Sequence, residues 1–457
     1  MLYRTLNGPF FCLLILASVS CHSINKDTDS LGEVVFYNDV ADIIEQKCVP
    51  CHQTDGGAPF VLTSYEAVSR KAKTIVEVTQ KGIMPPWPAD PNYQHFVGER
   101  LLTEREKELI KAWVDQGKPK GSAERKLQAN SPKGLKSSKP DLILNLPTVS
   151  IGSGDGDRFF LMRIPGKINQ DTWVKAMEIH PGVRESLHHF NGHVLNYKQA
   201  KAASWSNGIQ EITQGEYDAD FDQLDLLEAD GSRPERIHSA VNYLPGMEGT
   251  LFPDGIGGFR LSRQFALIGN DVHYGPSDRD TQDRSQIWIW FADKEPRRKT
   301  AEFMLGTNGS SAIEPPLVIP AGKVSQHRTA FQVGADVSLL TINPHMHLLG
   351  ASLKAYAVKP SGDTVHLISI PRWDFRWQYT YTFTHMIRIP RGSWIICEAT
   401  YDNRASNPNN PHSPPQTVGE RLEYGGASMR ATDEMLQLII GYTPYQKGDE
   451  ALTLQLE

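Results

Sequence analysis

The chain has 457 residues, 39% hydrophobic and 22% charged, with a formal net charge of -6 at neutral pH. Those fractions belong to a soluble globular protein, and they give no electrostatic basis for a nucleic-acid partner. At roughly 100–200 residues per domain the length predicts two to four domains, and three are expected.

Residues 1–21, MLYRTLNGPFFCLLILASVSC, read as an export signal, with Arg4 ahead of the apolar run Phe10–Ala17 and small residues leading into Cys21. The run is about half the roughly 20 residues that cross a bilayer, so a retained membrane helix is not expected. The residues before Cys21 resemble a bacterial lipoprotein cleavage site, with Ser18 where that family usually carries Leu. That resemblance implies a lipid on Cys21 anchoring the exported chain to a membrane, in the bacterial periplasm or at the cell surface. Ordinary cleavage nearby is the alternative. Of the five cysteines, Cys12 falls in the signal, Cys21 is the lipid acceptor, Cys48 and Cys51 form a close pair, and Cys397 is left over. A disulfide framework cannot be built from that set, and Cys397 reads as a small buried hydrophobe.

In residues 33–117 the motif Cys48-Val-Pro-Cys51-His52 has C-x-x-C-H spacing. Two thiols on one helical turn can add to the haem vinyl groups while the adjacent imidazole reaches the iron. A redox C-x-x-C or half a zinc site are the competing readings, but zinc would need a second ligand pair, and none follows in this region. Val40–Lys47 carries apolar residues at helical spacing just ahead of the motif. A sixth iron ligand is then needed. Met84, in Gly82-Ile83-Met84-Pro85-Pro86-Trp87, is the main candidate, since thioether ligation raises the potential; His95 is its rival, and a packed core methionine the ordinary alternative. The segment resembles a small class I cytochrome c, in which a Met on a Pro-rich loop closes the iron, and this resemblance favours Met84. Thr103 and Glu106 form a predicted capping box for a closing helix with Leu109, Ile110, Trp113 and Val114 on its apolar face, ending at Gly117.

Residues 118–140 lack hydrophobic periodicity and are rich in Lys, Ser, Pro and Gly, as an exposed linker would be. From Asp141 the pattern changes to short runs of strand formers between Gly, Pro, Asn and Asp, among them Phe159–Ile164, Trp173–Ile179, Phe265–Ile268 and Ile287–Phe291. Two antiparallel β-sandwiches are expected, over 141–312 and 313–457, with the seam in the Gly/Ser/Pro-rich stretch 306–316. The expected fold class is therefore multidomain, a small all-α cytochrome c domain followed by two β-sandwich domains.

Within the last region, Asn343-Pro344-His345-Met346-His347 places two imidazoles on one face of a strand, half of a metal site for copper, zinc, iron or nickel. Exposed strand histidines are the plain alternative. Earlier, His188 and His189 are adjacent and His273 lies in Asp271-Val272-His273-Tyr274. Adjacent strand residues point oppositely, so one ion could take both only at a strand end or bulge, and His193 is an equal candidate by spacing.

The order of these elements over 141–457 resembles the type II copper, ascorbate-dependent monooxygenases, the family of peptidylglycine α-hydroxylating and dopamine β-monooxygenase. The resemblance implies two jelly-roll domains with one copper each. It implies an electron-transfer copper on His188, His189 and His273, and an oxygen-activating copper on His345, His347 and Met435, the last in Thr432-Asp433-Glu434-Met435. Met429 is the runner-up for the thioether. Trp377-Gln378 and Tyr401-Asp402-Asn403 also look familial and read as structural. Where the peptide-amidating members carry an Arg, an Asn and a Tyr that contact substrate, this chain has Asn343, Gln437 and Ile439. A glycine-extended peptide is therefore not the expected substrate.

The expected activity is hydroxylation of a C–H bond in a small organic substrate by O2. Electrons come from ascorbate or a periplasmic donor, and the haem segment relays them to the three-histidine copper, its tether raising the local concentration of reductant. The alternatives are a lipid-anchored haem and copper electron-transfer protein without oxygenase activity, and a structural β protein with an attached cytochrome.

Overall fold

The computed structural model describes residues 32–54, 58–122, 125–128, 139–202, 204–212, 224–243, 255–420, 422–423, 426–427 and 432–454. The export signal with Cys12 and Cys21, the runner-up Met429 and much of the expected linker lie outside them. No helix among the described residues is long and apolar enough to cross a membrane.

The expected fold class is corrected. Among the described residues the molecule is mostly β, 40% strand against 12% helix, and no substantial all-α cytochrome c domain is evident. The α-helices among the described residues are α1 (Ala41–Lys47), α2 (Tyr65–Gln80) and α3 (Glu104–Asp115). They close on a small core of Phe36, Ile44, Val68, Ile75, Ile110 and Trp113. Ser64 caps α2 and the Thr103/Glu106 box caps α3, each side chain accepting an N–H that the first helical turn leaves without a partner. Residues 81–103, which an all-α domain would have to fold back on its helices, contain no helix. Pro85, Pro86, Pro88 and Pro91 supply no backbone donors there. The strap runs instead over the C-terminal β unit, where Asp90 N–H donates to Ser369 O at 2.8 Å and Val97 N–H to Thr382 O at 2.8 Å. Ala89 and Phe96 belong to that unit's apolar core.

The strand ladders are antiparallel. One four-stranded sheet orders Leu142–Asn145, Gln286–Phe291, Thr172–His180 and Phe259–Leu261. A five-stranded sheet orders Gly208–Ile212, Arg158–Lys167, Gln264–Tyr274, Leu187–Tyr197 and Glu235–Tyr243. Both feed one core that includes Ile164, Ile179, Phe190, Phe265, Val272 and Ile289. A second pair of sheets shares another core. Its four strands are Ala301–Gly306, Gln437–Pro444, Val337–His345 and Tyr381–Ile389, and its five are Ile313–Glu314, Val324–Gln332, Trp394–Asp402, Gly350–Val358 and Thr364–Ile370. Cys397 is fully buried in that second core.

Candidate functional site

Strands Leu187–Tyr197 and Gln264–Tyr274 are neighbours, and His189 stands opposite His273 in their register. A register shift between Leu187 and His189 breaks the alternation of side chains, so adjacent His188 and His189 share a face with His273. The ligand atoms of all three lie within 4.8 Å of one another. Ring centroids are 4.8 Å apart for His188 and His273, and 5.0 Å for His189 and His273. His193 is not a member of this cluster. His273 Nε2 meets Asp157 Oδ1 at 2.8 Å while Phe159 stacks on the ring, and His189 Nε2 stands 3.0 Å from Asp271 Oδ2 without hydrogen-bond alignment. His188 Nδ1 is buried with no hydrogen-bond partner. Burial, with the neighbouring His273 and His189, pushes His188 down to about 4. Burial works to raise Asp271, but the facing His189 and His273 outweigh it and bring the carboxyl down to about 2.

The second cluster is assembled at the end of strand Val337–His345, where the His345 and His347 rings are 5.0 Å apart and nearly perpendicular. Each ring is held through Nδ1. His345 donates to the amide oxygen of Gln378, and His347 donates to the Asp433 carbonyl at 3.0 Å. His345 Nε2 is buried without a hydrogen-bond partner, and burial beside His347 pushes that imidazole down to about 3. Glu434 ties the loop together. Its carboxylate accepts the backbone N–H of Leu349 at 2.6 Å, of His347 at 3.0 Å and of Met435 at 3.3 Å. Burial raises Glu434 to about 8 against the pull of those donors. Met435 is fully buried, and its carbonyl accepts the Tyr401 hydroxyl at 2.6 Å. Gly350 is required by close approach, since a Cβ there would stand 2.7 Å from Trp373, whose indole N–H caps the His347 carbonyl.

The C-x-x-C-H segment winds as turns directly after α1, with Cys51 N–H and His52 N–H both donating to the Cys48 carbonyl. His52 Nδ1 donates to Phe60 O at 2.9 Å, which fixes the ring tautomer and leaves the Nε2 lone pair for a ligand. Burial lowers His52 and pushes the Cys48 thiol up to about 12. Arg100 approaches Cys51 Sγ at 4.0 Å. Met84 is half-buried where α2 gives way to the strap. The rival His95 is 67% exposed and engaged by Glu99, on the surface rather than against the motif.

The amidating family's substrate positions are occupied otherwise. Asn343 donates to Tyr379 O and Thr380 Oγ1, and buried Gln437 donates to Thr307 O. Sequence reasoning did not single out Asp157, Asp271 or Glu434, and it took Gln378 as structural. For Gln378 the only signal was a polar residue within an aromatic run, and for the three acidic residues there was none.

No family model matches the chain, and no curated protein matches it. Among solved structures it is similar to the infectious bursal disease virus Gt strain, with 10% identity over 71% of this chain and 78% of that one at a TM-score of 0.16. It is also similar to the VP2 subviral particle of that virus, with 8% identity over 72% and 76% at 0.17. PNGF-II gives 11% identity over 67% and 63% at 0.19. At such TM-scores the likenesses carry no argument about fold or function.

Proposed function

We propose that the protein is a two-copper monooxygenase that hydroxylates a C–H bond of a small organic substrate, with a c-type haem on Cys48, Cys51 and His52 and Met84 as its further ligand. The observation that carries the reading is the presence of two imidazole clusters, each with a buried ring nitrogen that no protein group satisfies. Orphaned buried nitrogens cost free energy, and a metal ion on each cluster removes that cost. Three imidazoles, and two imidazoles with a thioether, are donor sets that suit copper in both oxidation states. His188, His189 and His273 would hold one ion, and His345, His347 and Met435 the other. When bound, the metals supply one-electron redox chemistry, by which one oxygen atom of O2 enters the C–H bond and the other leaves as water, with two electrons and two protons consumed.

The protein's own groups set orientation. Gln378 and the Asp433 carbonyl hold the Nδ1–H tautomers of His345 and His347. Asp157 and Asp271 place carboxylates beside His273 and His189. Asn343 and Gln437 are spent on backbone contacts, which supports a substrate other than a peptide carboxylate. Export, lipid attachment at Cys21 and a periplasmic electron donor are parts of the same proposal.

Replacing Gln378 with Leu is expected to weaken copper at the second centre about 10–100-fold, as loss of an outer-shell partner does, when measured by chelator competition. The activity itself is tested by incubating the haem- and copper-loaded protein with a panel of small C–H donors under isotopically labelled O2 and a reductant. Label in a product supports the proposal; absence of label across the panel favours an electron-transfer protein without oxygenase activity.

A further inference from the structure

The strap after Met84 is docked on residues 379–381, which lead into strand Tyr381–Ile389 beside the strand that ends at His345. Tyr379 donates its hydroxyl to Pro86 O at 3.3 Å, and Trp87 stacks on the Tyr379 ring at 5.9 Å and meets Tyr381 edge-on at 5.4 Å. The residue before Tyr379 is Gln378, whose amide oxygen holds His345. Further along, Tyr93 stacks on His366 at 4.1 Å, Gln94 donates to His366 O at 3.0 Å, and Phe96 bridges to Phe383. At the start of the strap Arg372 donates to Gly82 O at 3.2 Å. A freely tethered carrier would share neither core residues nor backbone hydrogen bonds with the unit it serves; this segment shares both.

We propose that the Pro86–Trp87 strap fixes the C-x-x-C-H segment against Tyr379 and Gln378, so that its electron enters at the His345, His347 and Met435 centre and not at the three-histidine centre. This rests on the haem and copper reading above. In the step, one electron leaves ferrous haem iron, which becomes ferric, and reduces one cupric ion to cuprous; no atom or proton moves. Trp87 and Tyr379 act as positioning residues for it.

The test uses the full-length holoprotein. Haem absorbance and cupric resonance signals are recorded first, and the absence of either overturns the underlying reading along with this one. Under anaerobic conditions the oxidised protein is then mixed with one equivalent of a small one-electron reductant, and haem reoxidation is followed together with the cupric signals. In a His188→Ala/His189→Ala protein the haem should reoxidise at the unsubstituted rate, with loss of the second-centre signal. In a His345→Ala protein it should remain ferrous. Trp87→Leu should slow reoxidation roughly ten- to a hundredfold through lost positioning, with copper content unchanged. Tyr379→Phe, which keeps the ring and removes only the hydroxyl, should slow it less. Reoxidation that needs His188 and His189 and is indifferent to Trp87→Leu overturns the proposal.

Discussion

A His345→Ala protein is expected to keep its haem iron and the copper on His188, His189 and His273, to lose the other copper, and to form no hydroxylated product. His345 brings a buried ring nitrogen with no protein partner, oriented by Gln378, and with His347 it supplies both imidazoles of that centre. Losing a ligand outright should cost more than the roughly 10–100-fold that follows loss of an outer-shell partner. Metal content by mass spectrometry, with resonance spectra to separate the two cupric environments, checks the result. A protein that retained both coppers would place the second ion elsewhere.

Glu434→Ala is expected to destabilise the C-terminal β unit by several kcal/mol. The substitution leaves the N–H groups of His347, Leu349 and Met435 buried with no carboxylate to receive them, each costing about 1–3 kcal/mol. Glu434→Gln keeps an acceptor oxygen and should lose far less. Because a chain of several units need not unfold in one step, the readout is a denaturant transition followed by a probe in this unit, such as Trp373 fluorescence. Equal transitions for the two variants would mean that the carboxylate is not what holds the loop.

Local composition made the positions of several strands legible. The expected strands Phe159–Ile164, Trp173–Ile179, Phe265–Ile268 and Ile287–Phe291 each fall within an observed strand, because runs of strand-forming residues bounded by turn residues are a local signal. The Thr103/Glu106 capping box was readable for the same reason, since its chemistry spans only a few residues. The strap was not. Residues 81–103 look like the loop of a self-contained helical domain until the chain is folded, and their partners, Ser369, Tyr379 and Thr382, are distant in sequence.

At the candidate site the histidines could be named from sequence, yet the convergence of His188 with His189 depended on a register shift that no spacing rule reveals. The outer groups were harder still. Gln378 and Glu434 touch the histidine loop across long sequence separations, and no local pattern marks such contacts.

The central claim is that this chain carries one covalent haem and two copper ions. It is tested most directly by metal analysis of the full-length protein, exported by a host able to attach haem and then supplied with copper. Close to two copper ions per iron are expected, with the iron resisting extraction into acidified organic solvent. A protein that holds no copper after such loading, or whose haem is extracted freely, would contradict it.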